Sequence, residues 1–159
     1  MEESVLPLTQ DGAGYESTRV RQFTIFLSNK VGRLLALVRA LDEGVSRIAA
    51  LSIEESADSA LVRVVTTDPD ASRDLLRDAG FPFTETELLA VELPTDTQQP
   101  LLRICSALLT AEINIHYAYP LLLSPRGPSL AIYVDDMTLA ARVLIRKGFT
   151  LISESDLAR

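Results

Sequence analysis

The hydrophobic pattern of the chain changes its period close to residue 29. Residues 20–28 are rich in apolar and β-prone side chains and predict a strand, whereas the apolar positions from Leu34 onward follow a helical spacing. Residues 28–35 are therefore predicted to form a strand-to-helix turn, with Gly32 in its tightest part. Amide groups at a helix start attract carboxylates and other anions, so this turn is a candidate binding element.

The same analysis predicts the order β-α-β-β-α-β over residues 20–87. Strands are expected at residues 20–28, 47–54, 60–67 and 83–87, and helices at residues 31–43 and 69–79. Asp68 followed by Pro69 is a strong helix start, and Gly44 and Gly80 fit helix ends. This order is the ferredoxin-like split unit.

The six-element order recurs over the second half of the chain. Strands are expected at residues 88–93, 113–122, 129–134 and 150–153, and helices at residues 100–111 and 137–147. A shift of 67 residues places Leu34 on Leu101, and one further residue places Gly80 on Gly148. The matching order favours a true repeat. We therefore predict a tail at residues 1–19 and two domains at residues 20–87 and 88–159.

Composition narrows the possible partners and the compartment. Of the 159 residues 47% are apolar, which is enough for a substantial core. The formal net charge of −7 argues against nucleic-acid and anionic-membrane partners, because both bind basic patches. One cysteine, Cys105, suits a reducing compartment, and the acidic N-terminus lacks the features of a signal peptide. With no long apolar span, we expect a cytoplasmic protein that is neither exported nor membrane-spanning.

Candidate chemistry is sparse. The sequence contains no Walker loop, GxSxG, HExxH or paired-cysteine motif. His116 is the only histidine, and strand alternation places it on one face with Asn114 and Ala118. Tyr117, Tyr119 and Cys105 have the spacing of core residues. We therefore expect no catalytic residues, no metal and no cofactor.

Three short sequence motifs, in this order and spacing, resemble those of the ACT domain, a small-molecule sensor of amino-acid metabolism. They are residues 29–34 (NKVGRL), 67–70 (TDPD) and 113–119 (INIHYAY). The likeness covers residues 20–157 and is closest to small stand-alone proteins made of two ACT domains. It implies an α+β fold in which two βαββαβ repeats join their second strands into one eight-stranded antiparallel sheet, with all helices on one face. The opposite face of the sheet is then expected to carry Asn114, His116 and Ala118.

The resemblance also implies a function and a site. It predicts a non-catalytic sensor that binds a free amino acid at the seam between repeats and regulates a metabolic enzyme. In the family, the first turn of one domain meets the start of the second strand of the other. The corresponding residues are Asn29, Lys30, Val31, Gly32, Arg33, Leu34, Asn114 and Ile115. Backbone amides would hold the ligand carboxylate, and the asparagine oxygens would accept from its ammonium group.

A second, degenerate site is expected in the other repeat, where the turn has lost its glycine. Its residues are Asp96, Thr97, Gln98, Gln99, Arg47 and Ile48. In the first turn, Val31 stands where a proline is common in the family. A homodimer is expected, because an open sheet face and two edge strands are usually covered or paired.

Other interpretations remain open at this point. Asn29 and Gly32 are also the default residues of tight turns. The doubled domain could be a structural module that dimerises or docks on a partner enzyme without binding a ligand. An acylphosphatase-like enzyme would require a phosphate-cradling loop with a catalytic arginine, which the first turn does not resemble. An RNA-recognition domain would require exposed aromatic residues on its third strand and a different net charge.

Overall fold

The computed structural model describes residues 18–28 and 30–159, so almost all of the predicted tail and Asn29 lie outside the described residues. The strands are β1 (Arg19–Ser28), β2 (Ile48–Glu55), β3 (Ser59–Thr66), β4 (Phe83–Glu92), β5 (Ile115–Pro120), β6 (Ser129–Val134) and β7 (Leu151–Ile152). The helices are α1 (Arg33–Asp42), α2 (Pro69–Asp78), α3 (Pro100–Thr110), α4 (Met137–Arg146) and α5 (Glu154–Leu157). The α+β class is as predicted, and the predicted element order is found except for one strand, β4, in place of two and for the additional helix α5.

All described strands belong to one antiparallel sheet of seven strands, in the order β2-β3-β1-β4-β6-β5, with β7 paired to β4. The prediction of eight strands was wrong, because β4 is continuous. Its first part pairs with β1 and its last part with β6. Its sequence, FTETELLAVE, contains no glycine, proline or asparagine that would form a turn at the expected boundary between Glu87 and Leu88. One strand therefore ends repeat one and begins repeat two, and the expected domain boundary falls inside it.

The two outer strands of the sheet meet at one end. Ala50 of β2 forms an isolated antiparallel bridge with Leu121, which follows β5. The amides of Leu122 and Leu123 both donate to the carbonyl oxygen of Ala49, at 2.7 and 3.1 Å. The sheet is consequently curled. The expected junction between second strands is limited to this contact, while β4 forms the main junction between the repeats.

The four longer helices, α1 to α4, pack on one face of the sheet, as predicted. The short helix α5 was not predicted, and its Leu157 packs in the cluster on the other face. Alternation along β4 separates the two faces: Leu89 and Val91 belong to the core under α3 and α4, whereas Leu88 and Ala90 point the other way. The core under α1 and α2 contains Phe23, Ile25, Leu37, Leu41, Val62, Val64 and Leu76. The inner face carries a third cluster, comprising Val20, Ala50, Val65, Leu88, Ala90, Tyr119, Ala131, Ile152 and Leu157.

The prediction of which β5 side chains lie on each face of the sheet was wrong from Tyr117 onward. A register shift between Ile115 and Tyr117 places Ile115 against the helix-side core and Tyr117 against the inner cluster. The inner face therefore presents Tyr117 and Tyr119, where simple alternation had predicted Asn114, His116 and Ala118. A single extra residue in one strand of a pair produces this reversal.

Cys105 was also wrongly predicted to lie in the core. The buried residues of α3 are Ile104, Ala107 and Leu108, and this rotation of the helix leaves Cys105 exposed. Within residues 18–28 and 30–159, no helix is both long enough and apolar enough to cross a membrane.

Candidate functional site

The first turn of repeat one connects β1 to α1 through a left-handed residue. Gly32 has φ 86°, a conformation that L side chains rarely adopt, and it stands immediately before α1. A Cβ placed on Gly32 would meet no atom within 4 Å. Backbone conformation, rather than crowding inside the protein, is therefore what requires glycine. The amide of Arg33 donates to the carbonyl of Lys30 at 3.2 Å and closes the turn.

Among the described residues, no side chain caps the N-terminus of α1, and its first turn contains no acidic residue. The amide of Ala36 donates to the carbonyl of Gly32 at 3.0 Å, so the amides of Leu34 and Leu35 precede this bond. Helix amides in this position carry the positive end of the helix dipole and suit a carboxylate. Val31 is fully exposed beside them.

The second helix of each repeat begins differently. Asp68 accepts from the amide of Ala71 at 3.1 Å at the start of α2, and Asp136 accepts from the amide of Leu139 at 2.9 Å at the start of α4. These carboxylates already satisfy the amides that an external anion would use. The uncapped start of α1 is therefore better suited to an anionic ligand than the starts of α2 and α4.

The strand-side half of the predicted site lies at the start of β5. The amide of Asn114 donates to Asp135 Oδ1 at 3.2 Å, and the amide of Asp135 donates to the carbonyl of Asn114 at 3.3 Å. The side chain of Asn114 is exposed, and Ile115 is half-buried. None of the hydrogen bonds found among the described residues joins Asn114 to residues 30–34, and the predicted partner Asn29 lies outside that set.

The residues of the predicted degenerate site are also distributed between separate places. Thr97 lines a groove of about 390 Å³ beside α3, whereas Arg47 lines a different cavity of about 440 Å³. Ile48 belongs to the core under α1 and α2. Gln99 adopts φ 53° immediately before Pro100, the first residue of α3.

The Arg47 cavity lies where the outer strands meet. It is lined by Thr67, Ser124, Pro125 and the C-terminal residues Asp156 to Arg159, among others. The amide of Arg47 donates to Thr67 Oγ1 at 2.9 Å, which ties this position to the chain between β3 and α2. Hydrogen bonds from Ser153 hold the pKa of the Asp156 carboxyl below its usual range.

An ion-pair cluster lies next to this cavity. Arg21 Nη1 contacts Asp70 Oδ1 at 2.7 Å, and Arg21 Nε contacts Glu154 Oε1 at 2.8 Å. The hydrogen bond from Arg21 lowers the pKa of Asp70, and the one to Glu154 is the largest influence raising the pKa of Arg21. The cluster fastens α5 to β1 and to the start of α2.

A buried polar group that was not predicted from the sequence joins the two repeats. The Gln22 side chain is completely buried in β1, and its Nε2 donates to the Tyr117 hydroxyl at 2.8 Å. The Tyr119 hydroxyl donates to Gln22 Oε1 at 2.6 Å. Burial raises the pKa of Tyr119. A glutamine within a predicted strand, two residues after Val20 and directly before Phe23, was the available signal. Arg63 lies over the Tyr117 ring, 4.0 Å from its centroid.

Neither His116 nor any cluster of metal-binding side chains forms a further candidate site among the described residues. His116 is exposed, with its ring centroid 5.6 Å from that of Tyr133. Residues 18–28 and 30–159 contain no group of three or more histidine, cysteine and acidic side chains that could hold a metal ion.

The architecture, with α1 to α4 on one face of a shared curled sheet, is that of a duplicated ferredoxin-like unit. The chain belongs to the ACT domain family, because residues 18–159 match the family model described as an ACT domain pair. No curated protein matches the sequence.

Solved structures resemble the chain over most of its length. Protein BT0572 from Bacteroides thetaiotaomicron is 28% identical and superimposes with a TM-score of 0.80, covering 90% of this chain and 99% of that one. The regulatory subunit of aspartate kinase from Thermus thermophilus is 10% identical with a TM-score of 0.54, covering 80% of this chain and 91% of that one. At that identity the second likeness shows a shared fold only.

Proposed function

We propose that the protein is a non-catalytic regulatory module that binds a free amino acid. The ligand carboxylate binds the uncapped amides at the start of α1, and the oxygens of Asn29 and Asn114 accept from the ammonium group. Membership of the ACT domain pair family supports a sensor role. The observation that carries the choice of site is the contrast between α1, whose N-cap Gly32 provides no side-chain cap, and α2 and α4, which aspartates cap. The start of α3 also lacks a side-chain cap, but it has Gln99 in place of the glycine and begins with Pro100.

A thermal-shift screen of the twenty amino acids tests ligand binding. A compound that binds only the native state raises the melting temperature by mass action. One amino acid, or a few chemically related ones, is expected to raise it with saturation. Equal melting temperatures with all twenty amino acids, each at a concentration on the order of 10 mM, would contradict the sensor role.

Calorimetry with the amino acid identified in the screen tests the site. Each lost charge-assisted hydrogen bond costs roughly 1.5–3 kcal/mol, so Asn29→Ala and Asn114→Ala are each expected to weaken binding about ten- to a hundred-fold. Asp96→Ala, at the position 67 residues after Asn29, is the matched control and is expected to bind more nearly like the parent. Parent-like affinity in both asparagine variants would place the ligand elsewhere.

A second candidate function is a docking or assembly module that binds no ligand. An apolar surface on α3 favours it: Leu101, Leu102 and Leu109 are exposed, and Leu109 is 76% accessible. Exposed apolar clusters of this kind commonly mark protein contacts. This alternative predicts self-association or a stable complex with an enzyme, together with a negative amino-acid screen.

A homodimer is part of the proposal. Within the part of the chain that the structure describes, the edges of the sheet meet at one bridge, so the rest of β2 and β5 offers strand edges to a second copy. Sedimentation at tens of micromolar is expected to show a dimer, by order of magnitude for a stable interface. A monomer under those conditions would contradict the dimer without affecting the amino-acid site. The regulated partner is proposed to be an enzyme of amino-acid metabolism in the cytoplasm.

A further inference from the structure

The groove beside α3 differs in charge from the corresponding surface of repeat one. It has a volume of about 390 Å³ and lies between the β4–α3 loop, one side of α3, and the residues that end α4. Pro94, Leu102 and the almost fully buried Phe149 supply apolar surface. Arg103 and Lys147 supply two positive charges from opposite walls. Apolar surface with a few converging polar groups is the usual composition of a small-molecule site.

The two cations are available to a ligand. The ion pairs found among the described residues include neither Arg103 nor Lys147. No acidic residue lines the groove. The nearest carboxylate in the sequence, Asp96, accepts from the Thr97 hydroxyl at 3.4 Å and is not part of the lining. Two unpaired cations at one place are notable in a chain whose formal net charge is −7.

The wall of the groove that α3 forms can be compared with the equivalent surface of α1 in repeat one. The helix starts align Gly32 with Gln99, so Ala36 corresponds to Arg103. In repeat one, Arg39 and Glu43 form an ion pair at 3.8 Å across one turn of α1. Their counterparts in repeat two are Ser106 and Thr110, both in the groove lining. At these positions the charges of Arg39 and Glu43 in repeat one cancel. Repeat two has the uncharged hydroxyl groups of Ser106 and Thr110 there, beside the positive charge of Arg103.

The other wall shows the same difference. The ends of α2 and α4 align Gly80 with Gly148, because both have positive φ and follow equivalent caps. Lys147 consequently corresponds to Ala79, and Phe149 to Phe81. In repeat one the Arg33 guanidinium lies 4.7 Å from the centroid of the Phe81 ring. Its counterpart in repeat two is Pro100, which leaves the groove above Phe149 without such a cover.

We infer that this groove binds a small organic dianion, with Arg103 and Lys147 holding its negative groups and the surface around Phe149 contacting its carbon skeleton. The hydroxyl groups of Thr97 and Ser106 lie in the same lining and offer additional hydrogen bonds. Two cations on facing walls suit a dicarboxylate or a phosphate ester. The site is separate from the proposed amino-acid site at residues 29–34, so either can be present without the other.

Titration of ¹⁵N-labelled protein tests this inference. Succinate and inorganic phosphate are the two anionic probes, and succinamide is the neutral counterpart of succinate. Saturable shifts at the amides of Thr97, Ser106 and Gly148 are expected, with dissociation constants on the order of 1 mM. Saturation by succinate identifies the dicarboxylate class, and saturation by phosphate identifies the phosphate class. Equal shifts with succinamide, or no saturable shift with either anion, would overturn the inference.

Charge-removal variants complete the test. Arg103→Gln with Lys147→Gln is expected to weaken binding at least about ten-fold, because charge-assisted contacts are lost. Arg142→Gln with Arg146→Gln removes the same charge from exposed positions on α4 outside the groove lining and is expected to bind like the parent. Equal affinity in both double variants would show that the groove cations do not hold the anion and would overturn the proposal.

Discussion

The two repeats share a scaffold but differ in their first turns. Both first helices, α1 and α3, begin after a left-handed residue and lack a side-chain cap. Repeat one uses Gly32 there and keeps the amide of Arg33, whereas repeat two uses Gln99 followed by Pro100, which has no amide hydrogen. The first amide of α1 therefore closes its turn onto Lys30, whereas α3 has no amide hydrogen at its first position.

This difference indicates how a duplicated domain can divide its binding roles. The cores of both repeats are built from equivalent positions, and both second helices begin at an aspartate cap. The repeats differ, among other places, at the starts of α1 and α3 and at the ends of the second helices. The amino-acid site proposed for repeat one and the anion groove proposed for repeat two arise from these positions.

The largest expected effect tests whether the repeats fold as one unit. Leu76 in α2 and Leu144 in α4 occupy equivalent, fully buried positions. Replacing either by alanine is expected to lower the free energy of unfolding by about 2–5 kcal/mol, because burial is lost and a cavity forms. Since β4 belongs to both repeats, each variant is expected to shift one shared transition in urea. Two transitions, with only one shifted by each variant, would show that the repeats unfold independently.

A smaller effect is expected at the polar junction between the repeats. Tyr119→Phe removes the donor to Gln22 Oε1, which is completely buried, and is expected to cost about 1–3 kcal/mol. Tyr133→Phe, on the neighbouring strand and only half-buried, is the control and is expected to cost less. Chemical denaturation measures both. Equal, negligible costs would show that the Gln22 junction does not stabilise the curled sheet.

Exchanging the left-handed residues of the first turns is expected to have opposite effects. Gln99→Gly removes the penalty of a side chain at φ 53° and is expected to stabilise the protein by roughly 0.5–1 kcal/mol. Gly32→Gln places a side chain at φ 86° and is expected to destabilise it by roughly 1 kcal/mol. Thermal unfolding of both variants gives the comparison. Changes of the same sign would mean that the turns adopt other conformations.

The smallest expected effect is a change in folding stability at acidic pH. Arg73 holds the pKa of Glu85 below its ordinary value of 4.5, chiefly by hydrogen bonding. A carboxyl with a lowered native pKa stabilises the fold above its unfolded pKa, and that stabilisation is lost as pH falls through the native value. Glu85→Gln is therefore expected to flatten the decline in stability between about pH 5 and pH 3, by less than about 1 kcal/mol. Glu55→Gln, an exposed strand-end control, is expected to leave the decline unchanged.

The repeated element order was predictable because local signals agree with the fold. Asp68 with Pro69 marks the start of α2, and glycines mark the ends of α2 and α4. The continuity of β4 was not predictable in the same way. An apolar strand with no turn residue can be divided between two partners, and only tertiary pairing shows where each partner ends.

The site was predictable to a lesser extent. The strand-to-helix turn at Gly32 followed from turn chemistry and hydrophobic period, whereas the missing side-chain cap of α1 was seen only in the structure. The bulge in β5 and the burial of Gln22 depend on register and long-range packing, which periodicity does not encode. The groove at Arg103 required the relative position of two helix ends that are distant in the sequence.

The central claim is that a free amino acid binds at the first turn of repeat one. Titration of ¹⁵N-labelled protein with the amino acid identified by the thermal screen tests it most directly. The account predicts saturable shifts at the amides of residues 30–35, with much smaller changes at residues 96–102 of the equivalent turn. Saturable shifts confined to residues 96–102, or binding that leaves residues 30–35 unperturbed, would contradict it.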